Sequence, residues 1–259
     1  CTVVLGKTDD TEIPVGVQCD EKAEIRDNVV YDDITSSNYK PQGAGVYLAA
    51  GSDMTIQASD DENTVISGNT VYTSCYEMPE TVGSGIPQPA DRGCGGGLFV
   101  LGDVTMTGGS ITENRAVGTE APGENEEDPD QYHYASGAGV YLQTGSFTMT
   151  GGQISGNTAS AAWTDNTFAG VGGGVCVGFS ASTTSQTVPA FTMTGGSITG
   201  NTAAEGSDVY LADCMPVYDS DAISGDSGTQ VLIGASPILR MGDAAKIGSV
   251  YLPAELEEG

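Results

Sequence analysis

The stretch Phe147-Thr-Met-Thr-Gly-Gly-Gln-Ile-Ser-Gly-Asn157 returns almost letter for letter as Phe191-Thr-Met-Thr-Gly-Gly-Ser-Ile-Thr-Gly-Asn201. A third copy runs Val104-Thr-Met-Thr-Gly-Gly-Ser-Ile-Thr-Glu-Asn114, and degraded relatives precede it at Asp53-Met-Thr-Ile, Val65-Ile-Ser-Gly-Asn69 and Glu24-Ile-Arg-Asp-Asn28. Self-similarity of this kind marks a stack of like units rather than a globule around one core. A second motif, Gly-x-Gly-Val-Tyr-Leu, precedes each copy: Gly43 to Leu48, Gly95 to Val100, Gly137 to Leu142 and Gly172 to Val177. Gly206-Ser-Asp-Val-Tyr-Leu211 and Gly248-Ser-Val-Tyr-Leu252 are variants of it.

Each unit thus holds three short β segments, Gly-x-Gly-Val-Tyr-Leu, Phe-Thr-Met-Thr and Ile-[Ser/Thr]-x-Asn, repeating about every 25 residues before insertions, as in one coil of a parallel β-helix. No segment of helical period separates them, which excludes parallel strands joined by helical crossovers. Glycine is 38 of 259 residues without a three-residue period, so collagen is excluded and the glycines fall at corners. The expected architecture is all-β, a single-domain solenoid of about six coils with three strands each. Residues 1–42 form an N-terminal coil or cap, 43–211 the central repeats, and 212–259 degenerate last coils. The end at Gly259 shows no cap, as expected of a chain cut from a longer array or stacked on another domain or copy.

Strand alternation assigns the faces. Val46, Leu98, Val140, Val175 and Val209 share the inner face of the first strand with Leu48, Val100, Leu142, Val177 and Leu211. Met54, Val104, Phe147 and Phe191, with Ile56, Met106, Met149 and Met193, line the second wall, and Ile66, Ile111, Ile154 and Ile198 the third. The Asn closing each unit (Asn69, Asn114, Asn157, Asn201) tolerates left-handed backbone at a corner and, stacked, predicts an amide ladder.

These residues carry a resemblance. The Gly-Gly-x-Val-Tyr-Leu, Phe-Thr-Met-Thr-Gly-Gly and Ile-Ser-Gly-Asn-Thr-Ala pattern, over roughly residues 43–252, resembles the right-handed parallel β-helix repeats of large adhesin-like surface proteins of anaerobic bacteria and archaea. It is more loosely similar to the Gly-Gly-Ala-Ile and Phe-x-x-Asn repeats of chlamydial polymorphic outer-membrane proteins. It departs from them in carrying Ile where Phe precedes x-x-Asn, and Cys176 where other coils have Tyr or Phe. The resemblance implies a right-handed coil and a role in attachment or display at a cell surface, with no catalytic residues to carry over.

Eight Lys and Arg against 35 Asp and Glu give a net charge of −27, which argues against nucleic acid or anionic lipid as a partner. No run approaches the length of a membrane span, so membrane insertion is not expected, and no secretory leader is read. Six cysteines in an acidic chain rich in Thr, Asn and Gly point to an oxidising, extracellular setting, secreted or on a cell surface. Cys75 and Cys94 bracket one loop and are the first candidate pair; Cys1 with Cys19, and Cys176 with Cys214, complete one of several connectivities that stay open. One histidine, His133, and no Cys-x-x-Cys give no zinc site.

Three long insertions follow Asn69, Asn114 and Asn157 and end at Gly93, Ser136 and Val171, all leaving one corner, and insertions gathered on one side often mark a working face. They carry Tyr72, Tyr76, Met78 and Arg92, then Tyr132, His133 and Tyr134, then Trp163 and Phe168. The outward position of the adjoining strand reads Tyr47, Phe99, Tyr141, Cys176, Tyr210 and Tyr251, an aromatic column with rungs ~4.8 Å apart on which a sugar or peptide can stack. Either the column is such a platform or the insertions fold over it. Tyr47, Phe99, Tyr141, Tyr132, Tyr134, Trp163 and Phe168 are the candidate ligand-binding residues, for a glycan or a host or microbial surface protein.

No cofactor is expected. Glu124-Asn-Glu-Glu-Asp-Pro-Asp130 offers oxygens for Ca²⁺, although its spacing matches no calcium loop and reads better as a solvated acidic segment. A polysaccharide-cleaving enzyme would need two facing carboxylates, for which Asp91, Asp128, Asp130 and Asp165 are candidates. The strands of the central repeats are read as free of Asp and Glu, so a non-catalytic module is the expectation and a structural stalk or filament segment the alternative. Paired outward threonines (Thr105 and Thr107, Thr148 and Thr150, Thr192 and Thr194) resemble ice-binding arrays, but Thr is simply favoured on exposed strands.

Overall fold

The computed structural model describes residues 2–3, 17–18, 23–31, 41–58, 64–73, 93–118, 135–161, 170–178, 188–212, 215–218, 232–235 and 238–252. Among them the chain is all-β, without a helix, and its core is four sheets of parallel strands. The first sheet holds Val46–Leu48, Leu98–Val100, Val140–Leu142, Val175–Val177, Val209–Leu211 and Val250–Tyr251. The second holds Asp53–Ile56, Asp103–Met106, Ser146–Met149, Ala190–Met193 and Ile238–Met241. The third holds Glu24–Arg26, Val65–Ser67, Ser110–Thr112, Gln153–Ser155, Ser197–Ile198 and Lys246–Ile247. In chain order the backbone visits the sheets in a fixed cycle, and each strand pairs with its counterparts one cycle before and after. Two short antiparallel pairs, Thr2–Val3 with Val17–Gln18 and Met215–Tyr218 with Leu232–Ala235, stand apart from these sheets.

The register follows the sequence columns. Ile25, Ile66, Ile111, Ile154, Ile198 and Ile247 are paired in one line. Met54, Val104, Phe147, Phe191 and Leu239 form another. With Val140, Leu142, Met106 and Met149 they make one apolar cluster whose central members are fully buried. Strands of three or four residues contribute little alone. Each buried Phe, Ile or Met side chain is worth about 1.5–3 kcal/mol, realised only when the neighbouring strand is in place.

The sequence expectation of three strands per unit is corrected by a fourth sheet: Val29–Tyr31, Thr70–Thr73, Arg115–Gly118 and Thr158–Ala161. These strands follow the closing Asn directly and turn only small side chains inward. Val71, Ala116 and Ala159 pack with Ala44, Ala135 and Ala138 in a separate cluster. Tyr72, expected in the first insertion, lies on one of these strands, next to Tyr31 and Val117 in register.

A second correction concerns the corner. The left-handed backbone sits one residue before the Asn, at Asp27, Gly68, Glu113, Gly156 and Gly200, with φ of 54, 68, 57, 67 and 70°. The Asn side chain is then left for hydrogen bonding alone.

Candidate functional site

The fourth-sheet strands end at Tyr31, Thr73, Gly118 and Ala161. The backbone is again in register at Gln42, Cys94, Ser136 and Val171, which bridge one another in parallel just ahead of the first-sheet strands. Segments 32–40, 74–92, 119–134 and 162–169 therefore each run, in the chain, from a fourth-sheet strand to the next first-sheet position. The last passage, from Thr202 to Glu205, makes this connection without an insertion. The expected single corner of departure is thus a seam between the fourth and first sheets.

Beside that seam runs the aromatic column. Tyr47, Phe99, Tyr141, Cys176, Tyr210 and Tyr251 are neighbours in register. Tyr47 stacks on Phe99 at 5.3 Å between centroids, Phe99 on Tyr141 at 5.5 Å, and Tyr210 on Tyr251 at 4.8 Å, all within 12° of parallel. Such contacts contribute about 0.5–1.5 kcal/mol each beyond area burial. Only Tyr47 is open, at 51% exposure, whereas Phe99, Tyr141 and Cys176 are at 0% and Tyr210 at 4%. Phe99, Tyr141, Cys176 and Tyr210 form a second apolar cluster with Cys94, Val171 and Ala212. The expected solvent-facing platform is thus corrected at Phe99 and Tyr141, which are core, and retained at Tyr47. Strand alternation distinguishes the two faces of a sheet but not whether the outer one is covered.

Tyr132, Tyr134, Trp163 and Phe168 lie outside the described residues, as do Tyr76, Met78, Arg92 and His133. So do the acidic segment Glu124–Asp130 and the carboxylates Asp91, Asp128, Asp130 and Asp165. Asp53 and Asp103, contrary to the reading that the repeat strands lack acids, open two neighbouring second-sheet strands side by side. Both are exposed, and the Ser146 hydroxyl donates to Asp103.

The cysteines behave differently from the pairing expected for Cys176 and Cys214. Cys176 is a free thiol at the centre of the second cluster, and its burial pushes the thiol far above its ordinary pKa. A thiol in that state is neither nucleophile nor metal ligand. Its register position explains it: Tyr141 reaches across to the backbone of Gly178, and a small side chain at 176 leaves room for that ring. Cys94 is buried in the same cluster, and Cys1, Cys19, Cys75 and Cys214 lie outside the described residues.

The asparagines form a continuous hydrogen-bonded ladder. Asn28 Nδ2 donates to Asn69 Oδ1 at 2.8 Å, Asn69 to Asn114 at 2.9 Å, Asn114 to Asn157 at 3.0 Å and Asn157 to Asn201 at 2.9 Å. Each Oδ1 also accepts the backbone N–H of the preceding Asn, and Nδ2 of every rung from Asn69 to Asn201 donates to a third-sheet carbonyl. Asp208 ends the ladder. Its Oδ1 accepts from Asn201 N at 3.1 Å and Asn201 Nδ2 at 2.9 Å, and the Ser249 hydroxyl donates to its Oδ2. The equivalent positions in earlier units are Gly45, Gly97, Gly139 and Gly174, where a Cβ would fall within about 3 Å of a ladder amide. The signal was present in the sequence: the motif reads Gly-Ser-Asp-Val-Tyr-Leu only in the unit with no Asn to follow.

Comparison with known proteins returns nothing: no family model, no curated protein and no solved structure matches the chain.

Proposed function

We propose that the chain is a single-domain, right-handed parallel β-helix of about six coils that acts as an extracellular, non-catalytic adhesin-like surface module. Its ligand is a glycan or a host or microbial surface protein, taken where the connecting segments emerge. The observation that carries this reading is the seam, because four segments join the same two sheets in register and three of them hold Tyr76, Tyr132, Tyr134, Trp163 and Phe168. Tyr132, Tyr134, Trp163 and Phe168 are assigned to binding, with Tyr47 the open ring on the adjoining column. Flat rings and few cations suit neutral sugars or a polypeptide better than any polyanion, since a chain of net charge −27 repels one.

A structural stalk is the second reading, favoured by the burial of Phe99, Tyr141 and Cys176, which turns most of the column into core. Immobilised mucin and neutral glycans, probed with the native chain and with the Trp163→Ala/Tyr132→Ala double variant, separate the two. The adhesin reading expects saturable retention that the double variant loses while its melting temperature is unchanged. Equal retention of both proteins would sink the assignment of the seam.

A further inference from the structure

We draw no further inference here: the strongest candidate, the outward column of Thr55, Thr105, Thr148 and Thr192 in register across the second sheet, is a stripe of small polar side chains on an outer sheet face, and nothing in the structure shows what covers it.

Discussion

Asn114→Ala should remove one rung from the middle of the amide ladder, and its cost can be worked from four hydrogen bonds. Asn114 Oδ1 accepts from Asn69 N at 3.1 Å and Asn69 Nδ2 at 2.9 Å; its Nδ2 donates to Ile66 O and Asn157 Oδ1, both at 3.0 Å. Both asparagines are fully buried, so no water replaces what is lost. The Asn69 backbone N–H loses its acceptor, which costs about 1–3 kcal/mol, and the other three bonds contribute about 0.5–1.5 kcal/mol each. Asn69 Nδ2 keeps the Ile25 carbonyl, and Asn157 Oδ1 keeps the backbone N–H of residue 114, so the lower part of the range applies. The expected loss is about 3–5 kcal/mol, or roughly 6–20 °C in melting temperature for a chain of this size. Asp208→Asn is the internal contrast. The amide retains the oxygen that accepts from Asn201 and can donate to Ser249, so the change should be under about 1 kcal/mol. Urea unfolding followed by circular dichroism measures both. A loss below about 1 kcal/mol for Asn114→Ala, or equal losses for the two variants, would refute the account of the ladder.

Other outcomes follow from the same geometry. Gly97→Ala places a methyl 2.5 Å from the Gly139 carbonyl and 3.0 Å from Asn114 Nδ2, against backbone and ladder together, and should destabilise the chain by about 3 kcal/mol or more in the same urea experiment. Glu113→Gly relieves a left-handed residue (φ 57°) at a corner where other units already use glycine, and should raise stability by about 1 kcal/mol. Phe99→Ala should cost about 3–5 kcal/mol as a core deletion, whereas Tyr47→Ala, half in solvent, should cost less than half of that; similar small losses would return Phe99 to the surface. Cys176 should resist iodoacetamide in the folded protein at pH 8 and react only on unfolding, because burial raises its pKa and closes access. Labelling of Cys176 in the native state, read by mass spectrometry, would contradict its place in the cluster.

The first, second and third sheets were legible in the sequence because their inward residues are large and alternate. Val140 and Leu142, Phe147 and Met149, and the Ile154 column each announce a buried face. The fourth sheet was not, because Arg115-Ala-Val-Gly118 and Thr158-Ala-Ser-Ala161 turn only Ala116 and Ala159 into the small apolar cluster and read like the start of a loop. The asparagine ladder was legible from spacing alone. Its geometry was not, since the left-handed residue is Glu113 or a glycine, and the Asn beside it keeps ordinary backbone. The aromatic column was read in the correct register and on the correct face. Its burial at Phe99 and Tyr141 depends on what covers that face, which periodicity within a strand does not encode. Cys176 looked like half of a disulfide by count, and only its neighbours Tyr141 and Tyr210 in register identify it as packing.

The central claim, an adhesive seam without catalysis, is tested most directly by passing the native chain over a glycan array and immobilised mucin, with and without Ca²⁺, and scoring retention and released product in the same samples. The account predicts saturable retention, abolished by Trp163→Ala, with no product in any channel. Soluble fragments appearing with time, and ceasing on Asp53→Asn/Asp103→Asn or Asp128→Asn/Asp165→Asn, would contradict it and make the chain an enzyme.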